Sequence, residues 1–293
     1  MGNGVKRRWG DRSDGRRLRS LDAYYGFMPL IMKSRNDAFN FFSDSFEITE
    51  IDKYLREKRL AGSQGLGILH LFLAAYVRVV CRYPALNRFV SGQRIYSREN
   101  IEFVMSVKKE MSASAGETSI KVSFKPSDTL DDVYHKINAE IDKVRKQARS
   151  TRTDTAARAL MRLPRLLLKF VIFTLGVLDY FGKIPRPLMD ASPFHGSIII
   201  TDIGSIGLPP IYHHLYNFGN LPVFVSLGAK RKALELTPDG GVESRKYLDY
   251  TVVLDERICD GFYFSQAYRY LKSILRDPRQ LEHPPEEVTP DID

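Results

Sequence analysis

Apolar residues recur along the 293-residue chain with two periods, and each period predicts its own elements. From Thr49 onward, Ile51, Tyr54 and Leu55 fall on one face of a helix. Residues 66–83 are apolar on nearly every side, which predicts a helix buried in the core, and Pro84 ends it. Three stretches rich in branched and aromatic residues follow at 88–96, 101–107 and 118–124 and are expected as strands. Asp128 is placed to cap a helix whose apolar positions Leu130, Val133, Ile137, Ile141 and Val144 recur at helical spacing. The last third predicts strands at 197–203, 223–227 and 247–254, closed by a helix with Phe264, Ala267, Tyr268, Leu271 and Leu275 on one face. The first forty residues run into Asn40-Phe41-Phe42 and are too apolar for a loose tail. Residues 282–293, rich in proline and acids, are expected to fray. Strands interleaved with helices and no internal repeat imply an α/β two-layer sandwich of a mixed sheet and helices, with residues 1–293 as one domain.

Composition narrows the class. Hydrophobic residues make up 43% and charged ones 27%, which excludes a disordered, collagenous or coiled-coil protein. Lys and Arg total 44 against 35 Asp and Glu, a net +9, so an acidic partner has to be considered. Cys81 and Cys259 cannot form a disulfide framework, and reduced thiols in a cytoplasmic location are expected. The basic N-terminus has no apolar stretch behind it, so no secretory signal is expected, and Lys6 breaks the myristoylation pattern. Two apolar segments, 66–81 and 163–181, carry charges and fall short of the roughly 20 apolar residues of a spanning helix.

One stretch departs from compact α/β patterning. Between Lys143 and Lys169 the only acid is Asp154, and an apolar segment up to Phe181 follows, giving a basic and apolar insertion over 143–187. Leu163, Leu166, Leu167, Phe170, Val171, Phe173 and Leu175 alternate with Arg158, Arg162, Arg165 and Lys169. This pattern suits an interfacial helix on an anionic membrane surface, through 158–181, with the chain peripheral to the membrane. It equally suits a helical insertion that buries its apolar face in a trimer or in an extra assembly contact. No stacking module or groove-reading motif accompanies the charge, so no nucleic acid is expected as a partner.

Two motifs carry a resemblance. They are Thr201-Asp202-Ile203-Gly204-Ser205-Ile206-Gly207 and Asp255-Glu256-Arg257-Ile258-Cys259-Asp260-Gly261, the second between a predicted strand and helix. Together with Tyr83-Pro84-Ala85-Leu86-Asn87 they resemble the catalytic domain of the dihydrolipoamide acyltransferases of 2-oxoacid dehydrogenase complexes, and more distantly chloramphenicol acetyltransferase. In that superfamily the second motif reads Asp-His-Arg-x-x-Asp-Gly, and the first is a hydroxyl residue followed by Gly-x-x-Gly. The resemblance covers roughly residues 16–281 and implies a chloramphenicol acetyltransferase-like fold and a homotrimer with the site between subunits. It implies an acyl-coenzyme A thioester as co-substrate and no metal. Thr201 would stabilise the oxyanion. Asp260 would hold the loop by pairing with an arginine, for which Arg17 and Arg19 are candidates. Gly261 would allow a tight entry into the last helix. No lipoyl domain accompanies the motifs.

Glu256 stands where the family has its catalytic histidine. A free glutamate near 4.3 is about two units weaker as a base than histidine near 6.5, close to 3 kcal/mol of proton-transfer driving force. Burial raises a carboxyl and recovers part of this. Glu256 is therefore either a retuned base or the mark of an inactive site. His213 and His214 follow the first motif and offer a replacement base, against the alternative of hydrogen-bonded histidines among aromatics. Cys259 reads as a buried thiol or as a nucleophile activated by Arg257. No second ligand at zinc spacing accompanies either cysteine. Two functions follow: a stand-alone acyltransferase acting from a thioester on small-molecule substrates, or a catalytically inactive trimeric relative that serves as a binding or assembly module.

Overall fold

The computed structural model describes residues 7–108, 117–147 and 152–293. Of the charged stretch, the side chains of Lys146, Arg149, Arg152 and Asp154 lie outside the described residues. In chain order the elements are β1 (Gly15–Arg17), α1 (Ala23–Ile31), β2 (Phe39–Glu47), α2 (Thr49–Leu60), α3 (Ile68–Arg82), β3 (Arg88–Ser91), β4 (Arg94–Arg98), β5 (Ile101–Lys108), β6 (Glu117–Phe124), α4 (Leu130–Gln147), α5 (Arg152–Met161), α6 (Arg165–Tyr180), α7 (Arg186–Ala191), β7 (Ile198–Asp202), β8 (Val223–Leu236), β9 (Val242–Asp255) and α8 (Gly261–Arg276).

A six-stranded sheet runs β2-β9-β8-β7-β5-β6, with β7 parallel to both neighbours and the other pairs antiparallel. Alternation along the strands gives it two apolar faces. On one, Phe103, Ile198, Ile200, Val223, Val225, Tyr250, Val252 and Leu254 meet α3, α4 and α8. Every residue of α3 from His70 to Cys81 is buried, as its all-round apolar pattern requires. Each Leu, Val or Phe among them contributes about 1.5–3 kcal/mol on burial. On the other face, Val104, Ile199, Leu215, Leu221, Phe224 and Val253 form a smaller cluster. A small sheet β1-β4-β3 sits apart from the main one.

Three expectations are corrected. The stretch 88–96 is a hairpin, β3 and β4, because Gly92 and Gln93 take positive φ (55° and 56°) and turn the chain back. The strands expected at 223–227 and 247–254 extend into a long β8–β9 hairpin with charged arms and a register shift between Leu227 and Lys230. The tail does not fray. Thr289 N–H donates to the Cys81 carbonyl at 2.8 Å, Arg88 Nη2 meets Asp291 Oδ1 at 2.5 Å, and Arg16 Nη1 meets Asp293 Oδ1 at 2.8 Å. Its acids are the partners of arginines distant in sequence.

Much of the 143–187 stretch is helical, as α5, α6 and α7. The C-terminal end of α6 is pinned by a buried ion pair: Arg12 Nη2 lies 2.8 Å from Asp179 Oδ1, and Arg12 Nε lies 2.9 Å from Asp14 Oδ1. Gly92 lies so close to the last turn of α6 that a Cβ there would overlap the Tyr180 carbonyl oxygen. Among the described residues, no helix is long and apolar enough to cross a membrane.

Candidate active site

The second motif begins where β9 ends. Asp255 and Arg257 are both buried and form a two-pronged ion pair, with Nε to Oδ1 at 2.8 Å and Nη2 to Oδ2 at 2.6 Å. Arg257 Nη1 also donates to the Met32 carbonyl at 2.7 Å, tying the loop to the end of α1. Between these two, Glu256 is half-buried. Its backbone N–H donates to the Ala38 carbonyl at 2.8 Å, and its Oε2 accepts from Asn40 Nδ2 at 2.7 Å. Among the described residues no cation pairs with Glu256. The carboxylate opens on a cavity of about 380 Å³, lined among others by Tyr24, Tyr25, Met28, Phe41 and Phe264.

Asp260 caps α8. Its Oδ1 accepts from the Tyr263 N–H and its Oδ2 from the Tyr25 hydroxyl, both at 2.6 Å. These two hydrogen bonds hold the Asp260 carboxyl below its ordinary value. Burial and then the Asp260 bond push the Tyr25 hydroxyl up to about 12. Among the described residues no arginine pairs with Asp260: Arg19 pairs with Asp11 at 2.9 Å, and Arg17 makes no ion pair. The arginine that braces this loop is Arg257, inside the motif. Cys259 is buried and its thiol is pushed up to about 12 by burial, so it does not form a thiolate near neutrality.

Thr201 lies next to the end of β7, before the Gly-x-x-Gly turn. The turn needs both glycines: a Cβ on Gly204 would overlap the Gly228 carbonyl, and Gly207 takes φ +81°. Thr201 Oγ1 lies 3.4 Å from His213 Nε2, and the His213 ring stacks on Phe224 at 4.1 Å. Burial, and secondarily His214, lowers the His213 value, which favours a neutral imidazole. His214 is exposed and packs edge-on against Tyr216.

Within one chain the two motifs do not meet. Thr201 is in register with Ser226, and Ser226 with Thr251, whereas Glu256 follows Asp255, the partner of Phe39. At about 3.3 Å per residue, the five steps from Thr251 to Glu256 separate them by roughly 16 Å along the strands, besides the one strand, β8, between. They also serve different faces. Thr251 Oγ1 donates to the Ile211 carbonyl on the face covered by residues 203–222, while the Glu256 cavity is walled by Leu254 and Phe264 on the helix face.

Solved structures share this arrangement of strands and helices. A probable dihydrolipoamide acetyltransferase from Listeria monocytogenes superposes with a TM-score of 0.57 at 13% identity, covering 88% of this chain and 93% of that one. The fold is that of the dihydrolipoamide acyltransferase catalytic core. A dihydrolipoamide acetyltransferase from Azotobacter vinelandii, for which a serine, a histidine and an asparagine were probed in the catalytic mechanism, gives 0.53 at 15% identity over 87% and 90% of the two chains. A chloramphenicol acetyltransferase gives 0.50 at 12% identity over 88% and 99%. At these identities the likeness is one of fold. No protein-family model matches the sequence, and no curated protein does.

On this acyltransferase fold, sequence reasoning missed Tyr25, Asn40 and the Asp255–Arg257 pair. The pairing of Asn40 with Glu256 depends on the β2–β9 register, which no local pattern reveals. The Asp255–Arg257 pair was legible in principle, since its members flank Glu256 in the motif.

Proposed function

We propose that the chain is an acyltransferase that moves an acyl group from a thioester such as acyl-coenzyme A to a nucleophilic acceptor, as a homotrimer with its sites between subunits. The observation that carries this reading is the state of Glu256: a carboxylate at a cavity mouth, held by one neutral amide and paired with no cation among the described residues. Asp255 beside it is taken up by its ion pair with Arg257, and Asp260 by the cap of α8, which leaves Glu256 as the carboxylate of this loop turned to the cavity. The cavity of about 380 Å³ lies at the small end of the ligand-pocket range and suits the thioester end of such a donor.

In this reading Glu256 takes the proton of the acceptor nucleophile as that atom attacks the thioester carbonyl. The oxyanion of the tetrahedral intermediate accepts a hydrogen bond from the Thr201 hydroxyl of a neighbouring subunit. Collapse breaks the carbon–sulfur bond, and the leaving thiolate recovers the proton from Glu256, giving the acylated acceptor and free thiol. The separation of Glu256 from Thr201 within one chain supports a site shared between chains. Asp260 and the Asp255–Arg257 pair hold the loop. The Azotobacter enzyme's histidine and asparagine lie four positions apart, as Glu256 and Asp260 do, which supports their assignment. A second assignment of the base rests on the 3.4 Å contact between Thr201 and His213, an imidazole held toward its neutral form.

The test follows consumption of acetyl-coenzyme A by the full chain, with dihydrolipoamide as probe acceptor and loss of the thioester absorbance as readout. Glu256→Gln keeps the bond from Asn40 and is expected to slow the reaction at least a hundredfold. An unchanged rate in Glu256→Gln with a collapse in His213→Gln moves the base to His213. No consumption of acetyl- or longer acyl-coenzyme A by the unaltered chain overturns the enzyme reading in favour of a binding or assembly module.

A further inference from the structure

We propose that the outward face of α6 docks on an anionic lipid surface. Leu166, Phe170, Phe173 and Val177 recur at the spacing of one helical stripe, and Phe181 follows at its end. These side chains are left in water: Leu166 is 81% exposed, Phe173 68%, Phe181 68% and Phe170 64%. Isolated exposed apolar residues are ordinary, but a contiguous stripe of large ones marks an interaction surface.

The rim of the stripe selects the occupant. Arg158, Arg162, Arg165 and Lys169 lie beside it or in the turns before it, all exposed, and none pairs with an acid among the described residues. A symmetric contact with a second copy would press two such basic rims together, whereas an anionic bilayer neutralises them. At 16 residues α6 is shorter than a spanning helix, which needs about 20, and so would lie in the interface plane. The buried Arg12–Asp179 pair and the close approach of Gly92 to Tyr180 fix the end of α6, so its apolar face is displayed and does not fold back onto the body.

The experiment is cosedimentation of the full chain with phosphatidylcholine vesicles with and without phosphatidylserine. Binding is expected with phosphatidylserine, and is expected to weaken in 1 M salt, where the Debye length is about 3 Å. Phe170→Glu/Phe173→Glu changes only exposed side chains and is expected to keep the circular dichroism spectrum and lose the binding. Arg162→Glu/Arg165→Glu/Lys169→Glu is expected to weaken it at least a hundredfold, at roughly fivefold for each basic residue. Three results overturn the proposal: no binding to phosphatidylserine vesicles, equal binding to phosphatidylcholine alone, or retention in the Phe double variant. A fall in mass by light scattering in that variant would assign the face to a second copy instead. The readout is independent of thioester consumption, so this inference and the acyltransferase reading fail separately.

Discussion

Replacing Asp179 by asparagine should expose how much the buried tether of α6 contributes. Burial opposes the charged form of Asp179, yet His195 and Arg12 outweigh it, and the carboxyl is held down to about 2 from an ordinary 3.8. Of the two partners we assign the greater effect to Arg12. It is permanently charged and 2.8 Å away, whereas His195 is at 3.4 Å and burial pushes it toward its neutral form. A drop of that size corresponds to about 2 kcal/mol, at 1.36 kcal/mol per unit. Because the folded value lies below the unfolded one, this stability is present above the unfolded value and is lost as pH falls from about 4 to 2. Asp179→Asn keeps the shape, and Arg12 keeps Asp14, so the loss should sit below the 3–5 kcal/mol of a fully orphaned buried charge. Urea unfolding near pH 7 should show the variant about 2–3 kcal/mol less stable, and the gap should narrow to under about 1 kcal/mol near pH 2. A deficit of the same size at both pH values would show that the charge is not what ties α6 down.

Two further outcomes follow from the loop and the hairpin. A free imidazole is about two units stronger as a base than a free glutamate; with a Brønsted slope near one half, acetyl-coenzyme A consumption by Glu256→His near pH 8 should rise about tenfold and fall off below about pH 6.5. A slower rate across the whole pH range would count against Glu256 as the base. Gly92→Ala combines a left-handed backbone with overlap on the Tyr180 carbonyl, and thermal melts should report a loss of about 3 kcal/mol or more. A change below about 0.5 kcal/mol would mean that α6 gives way freely.

Elements with a strong local pattern were legible in the sequence. Ala267, Leu271 and Leu275 are the buried face of α8, and Val133, Ile137 and Val144 that of α4, because helical spacing alone decides which side chains face inward. Where partners are distant, the pattern says less. β2 mixes Phe39, Phe41 and Phe42 with Ser43, Asp44 and Ser45, and only pairing with β9 makes it a strand. Prolines and acids in 282–293 resemble a loose tail until Arg88 and Arg16 are placed beside Asp291 and Asp293. For the candidate site, the motifs pointed to Glu256, Thr201 and Asp260, but what each touches is set by register and by the cap of α8. An arginine sought far upstream for Asp260 was therefore the wrong partner, and Tyr25 takes that place.

The pairing of β2 with β9 also bears on how the protein is made. Phe39 must find Asp255 and Glu47 must find Tyr247, so β2 waits for a strand far downstream to leave the ribosome. β7 likewise slots between β5 and β8 after a long detour through α4, α5, α6 and α7. Contacts this distant in sequence slow folding and leave apolar strand edges open meanwhile. Nascent chains stalled before β9 should therefore be recognised by chaperones, and production should respond more to chaperone supply than to changes on the finished surface.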